Sequence, residues 1–235
     1  MNVVSVMAHQ DDEMRCLGTM LKCKERGDQL TFVTLTDGSK GFVQQPDIEE
    51  AQAAAIRDGE MRALATKVGA DYINLGHPDE FLYDTPEVRM DLIEALRKTD
   101  ADLVFTHFYE DYNADHVVTH NLVRHCAMQA CLPVLPSKSR PLGEHPAVFL
   151  VEPFGAFSFN PTHYVDISEL YERKLSLLAE HASQEAALSS ALGHGFEGIC
   201  GVSDAFRGQL VGCAYAEAFV PMAARGAVKP YGVLP

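Results

Sequence analysis

Short β-branched and apolar runs alternate along the chain with longer segments whose apolar residues recur every three or four positions. This alternation predicts an α/β fold in which parallel strands are joined by crossover helices. Strands are expected at Val3 to Ala8, Leu30 to Thr36, Tyr72 to Leu75, Leu103 to Thr106, Ala147 to Glu152 and Tyr164 to Ile167. Met14, Leu17 and Leu21 lie on one helical face that runs from Met14 to Arg26 and ends at Gly27, and Ile48 to Val68 is likewise closed by Gly69. Thr85-Pro86-Glu87 supplies an N-cap, a first-turn proline and an acid, which opens a helix to about Lys98. Further helices are expected from Asp115 to Ala130 and from Ser168, as cap, to Glu180. Leu132 to Pro146 and the glycine-bearing stretch from Gly193 to Gly201 read as loops.

Polar residues gather just beyond the predicted strands. His9 to Glu13 follow the first, Asp37 to Gly41 the second, His77 to Glu80 the third and His107 to His116 the fourth. In an open parallel sheet, ligands bind in the crevice outside the carboxyl ends of the strands. Four such ends carrying carboxylates, three of them with His as well, point to one shared site.

Composition narrows the classes. A net charge of -14, from 33 acidic against 19 basic residues, argues against nucleic acid, whose affinity comes from Lys and Arg neutralising phosphates. No apolar run is long enough for a membrane span and no leader pattern opens the chain, so a cytoplasmic protein is expected, with a single domain over residues 1–235. Six cysteines without a CxxC pair read as free thiols.

The stretch Ala8-His9-Gln10-Asp11-Asp12-Glu13 places an imidazole and three carboxylates at a strand end, and a bound divalent cation would resolve that concentration of charge. His9 and Asp12 could share one metal while Asp11 points elsewhere, and His116 offers the third ligand of a site that leaves a position for water. His120 lies one helical turn further on.

These residues resemble the LmbE/PIG-L zinc-dependent deacetylases. Ala8 to Glu13 is similar to the family's AHPDDE signature with Gln10 in place of Pro, and Glu110 to His116 resembles its HxDH segment. Arg57 to Glu60 with Val68-Gly69, Leu75 to Asp79, and Lys174 with His181 to Gln184 resemble its remaining motifs in the same order. The resemblance implies a Rossmann-like three-layer sandwich with helices on both faces of the sheet. It also implies zinc held by His9, Asp12 and His116, Asp11 as general base, and Arg57 facing the substrate. The same donors could hold iron or another divalent ion. Glu13 and Asp115 are expected to orient ligands. The chain departs from the pattern at Asn113, which stands where the family has a His. An amide can hydrogen-bond an oxyanion but cannot deliver a proton near neutral pH. His107, His120 and His77 are candidate substitutes for that acid.

The resulting expectation is a hydrolase that removes an acetyl group from a small N-acetylated, amino-sugar-like substrate, with assembly into a homo-oligomer left open. Two alternatives remain: a metal-dependent hydratase or lyase on the same scaffold, and a non-catalytic sugar- or nucleotide-binding module.

Overall fold

The computed structural model describes residues 1–155 and 158–223. Seven strands form one sheet: β1 (Asn2–Met7), β2 (Gln29–Thr36), β3 (Asp71–His77), β4 (Leu103–Thr106), β5 (Ala147–Val151), β6 (His163–Asp166) and β7 (Ala216–Pro221). Their order is β3-β2-β1-β4-β5-β7-β6. The pairings β1–β2, β1–β4, β2–β3 and β4–β5 are parallel, and β7 runs antiparallel to both β5 and β6. The sheet is therefore mostly parallel, as the alternation predicts. Between β1 and β4 the chain order reverses, which opens a crevice at their carboxyl ends.

Seven helices cover the sheet: α1 (Leu17–Glu25), α2 (Glu50–Val68), α3 (Pro86–Lys98), α4 (Ala114–Gln129), α5 (Tyr171–Leu178), α6 (Ala182–Leu192) and α7 (Phe196–Val211). The two-residue period of β1 divides the core. Val4 and Val6 pack with Leu92, Leu96, Leu122 and Val123 of α3 and α4, whereas Val3 and Met7 pack with residues of α1, α2, α5 and α7 on the other face. Thr85 caps α3 as expected, its side chain accepting from Val88 N. All six cysteines are free. Among the described residues no helix is long and apolar enough to cross a membrane.

Two expectations are corrected, and one strand is new. The stretch 193–201 is not a loop: after Gly193 ends α6 in a left-handed conformation, α7 begins at Phe196. Phe196, Ile199, Cys200, Asp204 and Gly208 are buried at helical spacing, so packing overrides the low helix propensity of the glycines. Ser168 does not cap α5. It opens a 3₁₀ turn, Ser168–Leu170, and its hydroxyl donates to Asp166 and accepts from Ala214 N and Tyr215 N. Strand β7 was unforeseen because Ala216 and Ala218 weaken its β signal. It is held by Glu217, whose carboxylate accepts from Gly18 N and Thr19 N at the start of α1 and lies 2.9 Å from the buried ammonium of Lys174.

Candidate active site

The end of β1 turns sharply into a 3₁₀ turn, Asp12–Arg15, and this turn separates the two aspartates that follow His9. Asp11 takes φ 107°, a left-handed conformation that costs a non-glycine residue about 1–3 kcal/mol. Local bonds hold it there: Asp11 N donates to Glu13 Oε2 at 3.0 Å, and Met14 N donates to Asp11 O at 3.0 Å. Asp12 folds back onto its own turn, Oδ2 accepting from His9 N at 2.8 Å. From the other side of the crevice, Asn113 caps α4 by accepting from Asp115 N and His116 N, which sets His116 at the first turn.

Three side chains then meet. His9 Nδ1 lies 3.3 Å from His116 Nε2 and 3.3 Å from Asp12 Oδ2, while His116 Nε2 lies 3.3 Å from Asp12 Oδ1. Ligands about 2.0–2.1 Å from a tetrahedral centre are separated by about 3.3–3.4 Å, the spacing found between the two imidazole nitrogens, while each imidazole meets a different oxygen of Asp12. Each imidazole also has a carboxylate at its second nitrogen, leaving the first free for a metal. Asp79 Oδ1 lies 3.0 Å and Asp115 Oδ2 3.5 Å from His9 Nε2, and Asp111 Oδ2 lies 3.0 Å from His116 Nδ1. The donor set fits a divalent cation.

Electrostatics agree with that fit. Burial opposes charging His9, but hydrogen bonds to Asp115, Asp12 and Asp79 outweigh it and raise its pKa well above the usual value. Burial likewise works against His116, yet Asp12 and Asp111 lift it to about 9. Burial would push Asp12 up, but His116 and His107 hold it well below the carboxylate range. The cluster binds positive charge wherever it can, by taking protons on its imidazoles when no cation is present.

Asp11 is set apart from the triangle. One carboxylate oxygen accepts from Arg57 Nη2 at 2.9 Å, and the same guanidinium nitrogen donates to the carbonyl of Gln10. Burial raises the Asp11 pKa to about 6 against the lowering effect of Arg57. Arg57 itself is 2% exposed, so it is a buried wall of the cavity rather than a solvated helix residue. A Cβ at Gly41 would meet Arg57 Nη1, so a larger residue there would have to displace this guanidinium.

Glu13 does not touch a ligand of the triangle. Its two oxygens hold Asp11 N and, at 2.6 Å, His181 Nε2 at the start of α6. Asp115 does lie beside His9, and it also accepts from Glu80 N and Leu82 N. Asp79 and Asp111 were not assigned roles from sequence; the His77–Glu80 and His107–His116 strand ends were the signals that could have found them.

The three histidines read from sequence as substitute acids are engaged elsewhere or lie outside the cavity lining. His107 Nε2 accepts from Ala8 N at 3.0 Å, and burial together with the neighbouring His116 lowers its pKa to about 4. Neither His120 nor His77 lines the cavity, and their rings are engaged by the His107 carbonyl and by Asp91. Asn113 does line it, and with Oδ1 committed to the cap, Nδ2 is the atom left to donate. The cavity, about 680 Å³, also exposes Lys40, Tyr112 and an apolar wall from Val151, Leu188 and Ile199.

The fold and site together define an α/β protein with a candidate divalent-cation site of His9, Asp12 and His116 beside Asp11 at the β1/β4 switch. A family model described as GlcNAc-PI de-N-acetylase, PIG-L, matches residues 4–127, just over half of the chain, which therefore belongs to that family of N-deacetylases. Among curated proteins none matches. Among solved structures, N,N'-diacetylchitobiose deacetylase from Pyrococcus horikoshii is similar at 27% identity and TM-score 0.80, over 94% of this chain and 83% of that one. The conserved protein TT1542 from Thermus thermophilus is also 27% identical, with TM-score 0.80 over 100% and 97% of the two chains. GalB, the 4-carboxy-2-hydroxymuconate hydratase from Pseudomonas putida, shares the fold with TM-score 0.82 at 20% identity, over 99% of this chain and 100% of that one.

Proposed function

We propose that this chain is a zinc-dependent N-deacetylase that hydrolyses the acetamide of a small, amino-sugar-like amine. The observation that carries the reading is the 3.3 Å triangle of His9, Asp12 and His116 with Asp11 held beside it but outside it. When bound there, zinc supplies a Lewis acid that polarises the acyl carbonyl and acidifies water. Asp11, fixed by Arg57, accepts a proton as the water oxygen bonds to the acyl carbon. Asn113 Nδ2 donates a hydrogen bond to the oxygen that gains negative charge. The carbon–nitrogen bond then breaks, and Asp11 returns the proton to the departing amine, giving acetate and a free amine. In this scheme one carboxyl serves as base and then as acid.

Two outcomes follow for this site. Asp11 must be ionised to act, so kcat/KM is expected to fall as pH drops through an apparent pKa of about 6 or below, since a neighbouring dication favours the carboxylate. A flat pH–rate profile between about pH 4 and 7 would remove Asp11 from the proton transfer. Replacing Asn113 by His is expected to keep or raise acetate release by up to about 10-fold, because an imidazole adds a protonating group worth about 10²-fold or more when well placed.

A second reading rests on Asn113 alone. Amide cleavage needs a proton on the departing amine, whereas addition of water to an activated double bond expels no amine, so the missing acid weighs more heavily against the former. Zinc-loaded protein assayed by metal analysis and product identification separates the two. Acetate with free amine supports the deacetylase, whereas a hydrated product without fragmentation supports the hydratase.

A further inference from the structure

Among the described residues, each buried cation is matched by a carboxylate or by several carbonyls, with one exception. Lys174 lies between Asp204 and Glu217, Arg57 holds Asp11, and Arg97 donates to the carbonyls of Ala130, Leu132 and Leu135. Arg15, 9% exposed, has one side-chain hydrogen bond, Nη1 to Ser203 Oγ at 2.8 Å, and no carboxylate within ion-pair distance. Two acids nearby are already engaged. Asp204, next to Ser203, is 2.6 Å from Lys174 Nζ, and Glu152, which shares the cavity with Arg15, forms a two-point pair with Arg207 at 2.6 and 2.8 Å. No nitrogen of Arg15 is among the buried unpaired atoms, so the donors that Ser203 leaves free open onto the cavity.

Arg15 lines the same cavity as the metal triangle, two residues beyond Glu13. Its partner Ser203 lies one turn beyond Ile199 on α7, and Ile199 forms part of the apolar wall. The cavity thus has a hydrolytic pole, an apolar side and a single unmatched cation. From this arrangement we infer that Arg15 is a specificity-determining residue, which binds a carboxylate on a substrate whose body packs against the apolar wall. The inference rests on the deacetylase reading but replaces its amino-sugar-like amine with another substrate class: small N-acylated amines that carry a carboxylate next to an apolar group. Guanidinium suits the planar carboxylate, which it can meet with two parallel hydrogen bonds. A doubly charged phosphate is disfavoured because Asp11, Asp12, Asp79, Glu80, Asp111 and Glu152 also line this space.

The test uses zinc-loaded protein and three probes: N-acetyl-leucine, its carboxamide N-acetyl-leucinamide, and N-acetyl-leucinol phosphate. Calorimetry reads binding without requiring turnover, and acetate release reads the reaction separately. The acid is expected to bind at least about 30-fold more tightly than the carboxamide, within the range for truncating a buried charge pair. In Arg15→Met that preference should collapse to about 3-fold or less, with KM for the acid raised and kcat kept within about 3-fold. Arg15→Lys should restore part of it. Equal binding of acid and carboxamide overturns the assignment, as does a preference that survives in Arg15→Met, since the carboxylate would then be held elsewhere. Tighter binding of the phosphate overturns the choice of carboxylate. Arg15-dependent preference for the acid without acetate from either amide would keep the anion site and overturn the deacetylase reading instead.

Discussion

Replacing Asp11 by Asn is expected to lower kcat by about 10²–10⁴-fold while leaving bound zinc at the wild-type level. Asn is the right probe because Asp11 sits at φ 107°, a region that Asn tolerates far better than most residues, so the turn survives the change. The isosteric amide also keeps an oxygen available to Arg57 Nη2. What disappears is the group that can take a proton at a pKa near 6. The metal triangle is untouched, because its three donors come from His9, Asp12 and His116. Steady-state kinetics and metal analysis on the same preparation decide the matter. Full activity in the variant would end the mechanism, and loss of zinc would make Asp11 a ligand rather than a base.

The largest effect on stability is expected far from the chemistry, at Lys174. Its side chain is fully buried, 2.6 Å from Asp204 Oδ2 and 2.9 Å from Glu217 Oε1. These contacts tie α5 to α7 and β7, and Glu217 in turn caps α1. Lys174→Met fills the space but strands two carboxylates, which by comparison with other broken buried pairs costs about 3–5 kcal/mol. For a chain of this size that corresponds to a fall in Tm of roughly 6–20 °C.

The pH dependence of this variant has a definite sign. Burial already raises Asp204 to about 6 despite the lowering effect of Lys174. Without the ammonium its folded-state pKa rises further, so the native state binds a proton more tightly than the unfolded chain does. Stability is then retained at low pH and lost as pH climbs through the new value. Thermal melts should therefore show a larger deficit at pH 8 than at pH 5. An equal deficit at both would indicate that lost packing, not stranded charge, is the cause.

Much of the fold could be read from the chain because its signals are local. Alternation of apolar runs and helical spacing located the first six strands and the five helices that end by Leu178, and Thr85-Pro86 marked the start of α3 in advance. The residues read as metal donors, His9, Asp12 and His116, lie together across about a hundred positions of sequence, as do His107, Asp111 and His116, and His9, Asp79 and Asp115. Glycines in α7 and alanines in β7 concealed those elements, since their stability comes from partners elsewhere in the chain: Glu217 on Lys174, and Gly208 in close approach to Ala214.

Taken alone, the sequence determined the first six strands and five helices and the gathering of acids at the carboxyl ends of four strands, three of them with imidazoles. It could do so because backbone periodicity and strand-end placement depend on neighbours in the chain. Only the tertiary structure decided how those groups divide their work. It put Asp79, Asp111 and Asp115 behind the imidazoles, turned Arg57 onto Asp11, placed Glu13 between Asp11 and His181, and left Arg15 without a carboxylate. Electrostatic pairing acts over a few ångströms of space and is indifferent to separation along the chain, so these roles came into view only once the sheet had brought its strand ends side by side.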